Sequence, residues 1–117
     1  MNKEYRVKKN TEIEAILKEK NFRSTQYFSI YKKTNSETSH FRYAMSVGKK
    51  IGNAVMRNKY KRLIFAAVSN LNVKLDLNVD VFIIARPKVV ELDYKKIYKE
   101  IEYLFRKQNL LTQGEKK

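Results

Sequence analysis

Six basic side chains fall within fourteen consecutive positions of this chain, from Lys49 to Arg62, and no acidic side chain lies among them. The acid-free span is wider still, because no Asp or Glu occurs between Glu37 and Asp76, where eight Lys or Arg are found. A soluble surface ordinarily mixes both signs of charge. A long block of one sign therefore indicates a polyanionic partner, and nucleic acid is the first candidate.

The basic segment is predicted to open a long helix over residues 53–71, with Asn53 as its N-cap. At 100° per residue, one side of this helix carries an apolar stripe: Met56, Tyr60, Leu63, Ile64, Ala67 and Leu71. Another side presents groups suited to phosphate, sugar and base edges: Arg57, Asn58, Lys61 and Arg62, followed by Phe65. The helix N-terminus adds backbone N–H donors close to Lys49 and Lys50. Because the apolar side must cover a sheet, the helix is a weak candidate for membrane binding.

Composition limits what kind of protein can carry this helix. The chain has 117 residues, of which 43% are hydrophobic, and its net charge is +14. We expect one RNA-binding domain over residues 1–117, with a frayed tail at about 112–117. The absence of cysteine from the sequence excludes disulfides, a thiol nucleophile and a cysteine metal site. With no signal-like N-terminus and no long apolar run, we expect a cytoplasmic protein.

Alternation and capping patterns predict the elements that position the basic helix. In chain order they are a helix over 11–19, strands over 27–33 and 41–47, the basic helix, a strand over 79–85 and a last helix capped by Asp93. Thr11 and Glu14 form a possible capping box for the first helix, with Asn10 as a rival cap. The two later strands and the helix between them form a crossover with parallel strands. The order predicts an α+β sandwich.

Two of the strands offer a second surface for nucleic acid. Their polar or aromatic sides are Tyr27, Ser29 and Tyr31 on one strand, and Arg42, Ala44 and Ser46 on the strand expected beside it. Aromatic rings beside positive charge form stacking surfaces for single strands. The rings would equally serve as packing under the first helix, and the residues alone leave both alternatives open.

The sequence predicts neither a catalytic set nor a metal site. His40 is the only histidine of the sequence and is expected at the surface beside a turn. The close acidic pairs are expected to be solvated charges: Glu12 with Glu14, Asp76 with Asp80, and Glu100 with Glu102. The lack of a nucleophile with a neighbouring base favours a protein that assists an RNA over one that cleaves alone.

The segment from Ser46 to Arg62 closely resembles the signature of the protein subunit of bacterial ribonuclease P. Three shorter segments resemble other parts of that family: Arg6–Asn10, Phe41–Arg42 and Ile83–Arg86, with a looser match at Leu104–Lys107. The resemblance implies a single-domain α-β-β-β-α-β-α sandwich with a central mixed sheet. It also implies a short extra strand near Phe22–Ser24 and a left-handed crossover, against the usual right-handed rule.

The same resemblance implies two partners, a catalytic RNA subunit and precursor tRNA, with no membrane and no protein partner required. The RNA subunit would remove the 5′ leader with magnesium that the RNA mainly holds, and the protein would bind no cofactor tightly. Positions matching RNA-subunit contacts are Lys49, Lys50, Asn53, Arg57, Asn58, Lys61 and Arg62. A cleft between the first helix and the sheet would bind the leader through Ile13, Leu17, Tyr27, Tyr31, Arg42 and Ser46.

Some residues depart from the family pattern, and two other functions compete with the one it implies. Phe65 stands where the family usually has an Arg, Ile13 and Leu17 stand where rings often occur, and Ala44 and Gly48 replace a typical Gly and Ser. One rival is a plain RNA-binding module, such as a ribosomal protein or an RNA-folding chaperone. The other is a stand-alone nuclease. Composition does not separate these from a ribonucleoprotein subunit, whereas the Ser46–Arg62 signature favours the subunit.

Overall fold

The computed structural model describes residues 3–112. They form a four-stranded mixed sheet with helices on both of its faces. Its helices and strands, in chain order, are α1 (Asn10–Lys18), β1 (Phe22–Ser24), β2 (Phe28–Thr34), β3 (Arg42–Val47), α2 (Ala54–Asn70), β4 (Val79–Ala85) and α3 (Tyr94–Lys107). The predicted α+β sandwich is confirmed, together with the short strand that the family resemblance implied. The tail prediction for 113–117 lies outside the described residues, while the Thr112 N–H donates to the Asn72 carbonyl at 2.8 Å.

The strands lie in the order β1-β2-β4-β3, so the prediction that β2 and β3 are neighbours is wrong. β4 is antiparallel to β2 and parallel to β3, and Phe82 pairs with Tyr31 on one side and with Ala44 on the other. The predicted parallel crossover through α2 is therefore confirmed. The physical reason for the order is that β4 is the most continuously apolar strand, which suits the centre of a sheet covered on both faces.

α2 and α3 cover one face of the sheet and form the main core with it. From the sheet, Phe28, Ile30, Tyr43, Val81 and Ile83 are buried in this core. From the helices, it takes Tyr60, Ile64, Ala67 and Val68 of α2, and Ile97, Ile101, Leu104 and Phe105 of α3. Leu63 and Met56 are only half-buried, so the stripe of α2 is rotated slightly from its predicted centre. Val55, which did not fit the predicted stripe, is 76% exposed.

Local capping signals are right for two helices and wrong for the third. Asn53 Oδ1 accepts from the Met56 N–H at 3.0 Å, and Asp93 Oδ1 accepts from the Lys96 N–H at 3.0 Å, as predicted. α1 instead has Lys9 as its N-cap, with no side-chain cap hydrogen bond, which overturns both Thr11 and Asn10. Its first turn is held by a tertiary contact of Glu12, described below, and a sequence pattern does not contain such a contact. No helix within residues 3–112 has the length and apolar character needed to cross a membrane.

Candidate nucleic-acid interface

A rigid turn places the start of α2 and the two lysines before it. Gly52 has a φ of 154°, and a side chain built there would have its Cβ only 2.9 Å from the Cβ of Met56. Glycine is therefore required at this position. Arg57 reinforces the turn, because its Nη1 donates to the Gly52 carbonyl at 2.9 Å. The predicted RNA contact Arg57 thus also has a structural role, which fixes Lys49 and Lys50 relative to the helix.

The remaining predicted contacts of the basic segment are exposed, and the helix presents them together. They are Lys49, Lys50, Asn53, Asn58, Lys61 and Arg62, whereas Arg57 is half-buried. None of the basic residues in this group forms an ion pair with another described residue, since the ion pairs found within residues 3–112 belong to Arg42 and Arg106. Uncompensated cations on a rigid helix attract phosphate strongly. We call this group together with Arg57 the basic face.

α1 packs on the opposite face of the sheet and forms a second, smaller core. Val7, Ile16, Ala44 and Phe82 are buried in it, and half-buried Ile13, Leu17, Tyr31 and Ile84 surround them. The structure therefore brings the predicted residues Ile13, Leu17 and Tyr31 together. Ser46 pairs in register with Ile84, one row further along the same face. We call the groove between α1 and this face the α1 cleft.

Tyr27 does not join the α1 cleft, contrary to the prediction. The Thr25 hydroxyl accepts from the backbone N–H groups of Tyr27 and Phe28 at 3.1 and 3.3 Å, so a turn precedes β2. Tyr27 therefore lies before the strand, and its side chain does not follow the alternation of side chains along β2. Its ring packs against the main core on the opposite face.

Arg42 lies on the α1 side, but carboxylates occupy its guanidinium group. Its Nε donates to Asp80 Oδ1 at 2.9 Å, and its Nη2 donates to Asp80 Oδ2 at 2.8 Å and to Glu12 Oε2 at 3.1 Å. Asn35 Nδ2 also donates to Asp80 Oδ2, at 2.8 Å. The hydrogen bonding of Arg42 to the Asp80 carboxylate is the main cause of a raised pKa at Arg42. Arg42 therefore ties α1 to the sheet, and its charge is balanced within the protein.

This network also corrects the prediction that Glu12 and Asp80 are solvated charges. The Asp80 side chain is only 3% exposed, and Glu12 bridges from α1 to Arg42. Burial of a carboxylate is costly unless it is paired and hydrogen-bonded, and Asp80 satisfies both conditions. His40, which is expected at the surface from the sequence, is half-buried. Its Nδ1 lies 2.9 Å from the Phe41 carbonyl, and its ring is edge-on to Tyr5.

The sequence prediction missed Phe22 as a residue of the α1 cleft. Phe22 pairs with Tyr31 between β1 and β2, and their rings stack with centroids 4.7 Å apart at an interplanar angle of 24°. Phe22 is 47% exposed, so an aromatic surface remains open at the edge of the cleft. β1 has three residues, which is too short for a periodic signal. A bulky ring between Asn21 and Arg23 was the one available hint.

Comparison with known protein families gives a match to the family described as Ribonuclease P over residues 1–109. The chain belongs to this family. The ribonuclease P protein component of Bacillus cereus strain G9842 is 34% identical over 110 residues, which cover 94% of this chain and 96% of that protein. The solved structure of the Staphylococcus aureus RNase P protein has a TM-score of 0.82 and 33% identity, covering 92% of this chain and 98% of that one.

A mutant of the S. aureus protein with defective mRNA degradation activity gives a TM-score of 0.84 at 33% identity, covering 93% of this chain and 92% of that one. These likenesses confirm both the family resemblance and the fold.

In this ribonuclease P protein, the basic face and the α1 cleft lie on opposite sides of the sheet. At the β3 edge of the sheet, Arg6 forms a bridge to Tyr43. Within residues 3–112, no group of three or more His, Cys, Asp or Glu is placed to hold a metal ion.

Proposed function

We propose that this ribonuclease P protein binds the catalytic RNA subunit of ribonuclease P through its basic face and the 5′ leader of precursor tRNA in its α1 cleft. In this role it assists endonucleolytic removal of the leader, which gives the mature tRNA 5′ end. The RNA subunit, with magnesium, carries the chemistry, and the protein needs no tightly bound cofactor and no protein partner. The complex acts in the cytoplasm, without a membrane.

The observation that carries this proposal is the set of exposed cations on α2 that have no acidic partner among the described residues. Arginine can bind phosphate through two parallel hydrogen bonds, and lysine adds a point charge. The capped N-terminus of α2 and the Gly52 turn hold these groups in fixed positions. A partner with a regular array of phosphates fits such a face better than a protein surface of mixed charge.

Reconstitution tests the proposal directly. The purified protein is combined with a bacterial ribonuclease P RNA at low magnesium, and 5′ maturation of precursor tRNA is measured. We expect the protein to stimulate cleavage at the mature 5′ end and to be inactive on precursor tRNA without the RNA. Cleavage of precursor tRNA or of an mRNA by the protein alone would support a stand-alone nuclease. RNA binding without stimulation would support a plain RNA-binding module.

Arg62→Ala is expected to weaken binding of the RNA subunit without changing thermal stability. Arg62 is exposed and makes no ion pair among the described residues, so its loss removes a phosphate contact and leaves the core unchanged. Loss of one phosphate contact should reduce the steepness of the salt dependence by about one. Arg57→Ala should weaken binding too, and it also removes the hydrogen bond to Gly52.

Arg106→Ala is the matched control for these two variants. Arg106 is an exposed arginine near the end of α3, where it pairs with Glu102 at 3.3 Å. The substitution Arg106→Ala removes one positive charge, as Arg62→Ala does, but at a position remote from the basic face. Equal losses of RNA affinity for Arg62→Ala and Arg106→Ala would mean that net charge, and not the basic face, determines binding.

Tyr31→Ala is expected to weaken binding of precursor tRNA to the reconstituted enzyme more than binding of mature tRNA. Only the precursor carries a single-stranded 5′ leader for the α1 cleft. One stacked base contributes about 1–3 kcal/mol, so the loss should be about five- to hundredfold. Tyr31 also supports Phe22 through their stacked rings, and Ile13 and Leu17 supply no ring of their own. Phe22→Ala should therefore show the same substrate preference with a smaller loss.

Substrates of graded leader length separate stacking from packing. Affinity is measured for precursors with a long leader, with a leader trimmed to almost nothing, and for mature tRNA. A loss that grows with leader length supports the cleft assignment. Equal losses on all three substrates would make Tyr31 a packing residue of the smaller core, and the basic-face assignment would be unaffected.

A further inference from the structure

A groove of about 550 Å³ lies between α2 and the β3 edge, next to the basic face. Its lining residues are Arg6, Met45, Lys61, Arg62 and Phe65. Met45 and Phe65 are half-buried and pack against the main core, so they form a fixed apolar floor. Lys61 and Arg62 are exposed and supply the cationic rim. The volume falls within the range of about 300–1,000 Å³ that is typical of small-ligand sites.

Arg6 lines the groove on the β3 side, and its guanidinium group has a donor that binds no other described residue. Its guanidinium carbon lies 5.0 Å from the centre of the Tyr43 ring, and the bridge between the two residues fixes its backbone. Its Nε is buried and has no hydrogen-bond partner among the described residues. A buried donor without a partner in the protein is free to bind an acceptor on a molecule that enters the groove.

We propose that this groove binds one unstacked nucleotide of the RNA subunit. The base lies against the Phe65 ring and Met45, and its phosphate contacts Lys61 and Arg62. Aromatic side chains beside cations are the usual means by which proteins bind an unstacked base, because every base has a π-face. This assignment rests on the proposed function. It adds to the charged contacts of the basic face an uncharged one, between the base and the side chains of Phe65 and Met45.

The chemistry of the groove favours RNA over a protein partner. Its lining has an apolar floor and three cations, with no acidic residue. A base with its phosphate matches both features at once. An apolar protein segment would match the floor but would bring no anionic group to the three cations. A second copy of this chain would bring further positive charge, since the net charge is +14.

Two substitutions that remove the ring but keep apolar volume test the groove, Phe65→Leu and Phe65→Met. The matched control is Tyr94→Leu, which removes a half-buried ring that packs on the same core from α3. Binding to a bacterial ribonuclease P RNA is measured at several salt concentrations. We expect both Phe65 variants to bind about five- to hundredfold more weakly at every salt concentration, with an unchanged salt slope. Lys61→Gln should instead flatten the slope by about one.

Chemical probing of the bound RNA identifies the nucleotide. The wild-type protein should protect an unpaired base that stays reactive with both Phe65 variants and is protected with Tyr94→Leu. Variants of Phe65 that bind like the wild type, or that change the salt slope as Lys61→Gln does, overturn the assignment. Loss of self-association in sedimentation, with unchanged RNA affinity, would assign the groove to a second copy. Failure of the wild-type protein to bind the RNA would instead remove the proposed function itself.

Discussion

Asp80→Ala is expected to lower the free energy of unfolding by about 3–5 kcal/mol, the usual cost of removing one partner of a buried ion pair. Asp80 receives two hydrogen bonds from Arg42 and one from Asn35, and its side chain is 3% exposed. Alanine would leave the Arg42 guanidinium, which is itself only 17% exposed, with Glu12 as its one remaining acidic partner. Unfolding by urea, followed by circular dichroism, measures the loss.

Asp76→Ala is the control for the loss of a carboxylate in the same part of the chain. Asp76 is exposed and lies four positions before Asp80, so its removal should change stability by no more than about 0.5 kcal/mol. Combining Arg42→Met with Asp80→Leu should recover much of the loss, because an apolar pair avoids the desolvation of two charges. If Asp80→Ala unfolds at the same urea concentration as Asp76→Ala, the network contributes nothing measurable to folding.

The Arg42 network links stability to the shape of the α1 cleft. Glu12 belongs to α1, Asp80 to β4 and Arg42 to β3, so one guanidinium group connects the helix to two strands. Directional hydrogen bonds fix the helix at this end, whereas the apolar contacts of Ile13, Ile16 and Leu17 along its length are not directional. Arg42 thereby positions the residues proposed to bind the leader without offering its own charge to phosphate.

Local patterns predicted the elements well where a single segment decides its own structure. The bounds of β4 agree with the prediction, because its apolar run ends at Ala85 and Pro87 follows two residues later. Asn53 and Asp93 cap their helices because an N-cap needs one side chain and the backbone two or three residues later. The basic face followed from helical periodicity alone, since the opposite side of α2 must cover the sheet.

Contacts between distant segments could not be predicted in this way. The Arg42–Asp80 pair joins residues 38 positions apart, and the sequence shows only two charges of opposite sign. The assignment of Tyr27 to the cleft failed because Thr25 forms a turn that places Tyr27 before β2, outside the alternation of the strand. The groove at the β3 edge joins Arg6 to α2, which no spacing in the sequence indicates.

Binding of the RNA subunit is expected to weaken by roughly 60- to 1,000-fold when the salt concentration rises fourfold. The segment from Lys49 to Arg62 offers six cations, none of which has an acidic partner among the described residues. If about four to six of them contact phosphate, counterion release gives a log–log slope of about −3 to −5. Equilibrium binding to a bacterial ribonuclease P RNA at several concentrations of monovalent salt, with magnesium fixed, measures this slope.

A slope near zero would remove the electrostatic basis of the basic face, whatever the affinity at one salt concentration. The structure also predicts which side chains should determine the slope. Arg42 is neutralised by Asp80 and Glu12, so Arg42→Met should leave the slope unchanged even if it destabilises the protein. Lys61 and Arg62 should each contribute about one to the slope, because both are exposed and unpaired among the described residues. A slope that changed with Arg42 and not with Lys61 would locate the RNA on the α1 side of the sheet, and the basic face would lose its assignment.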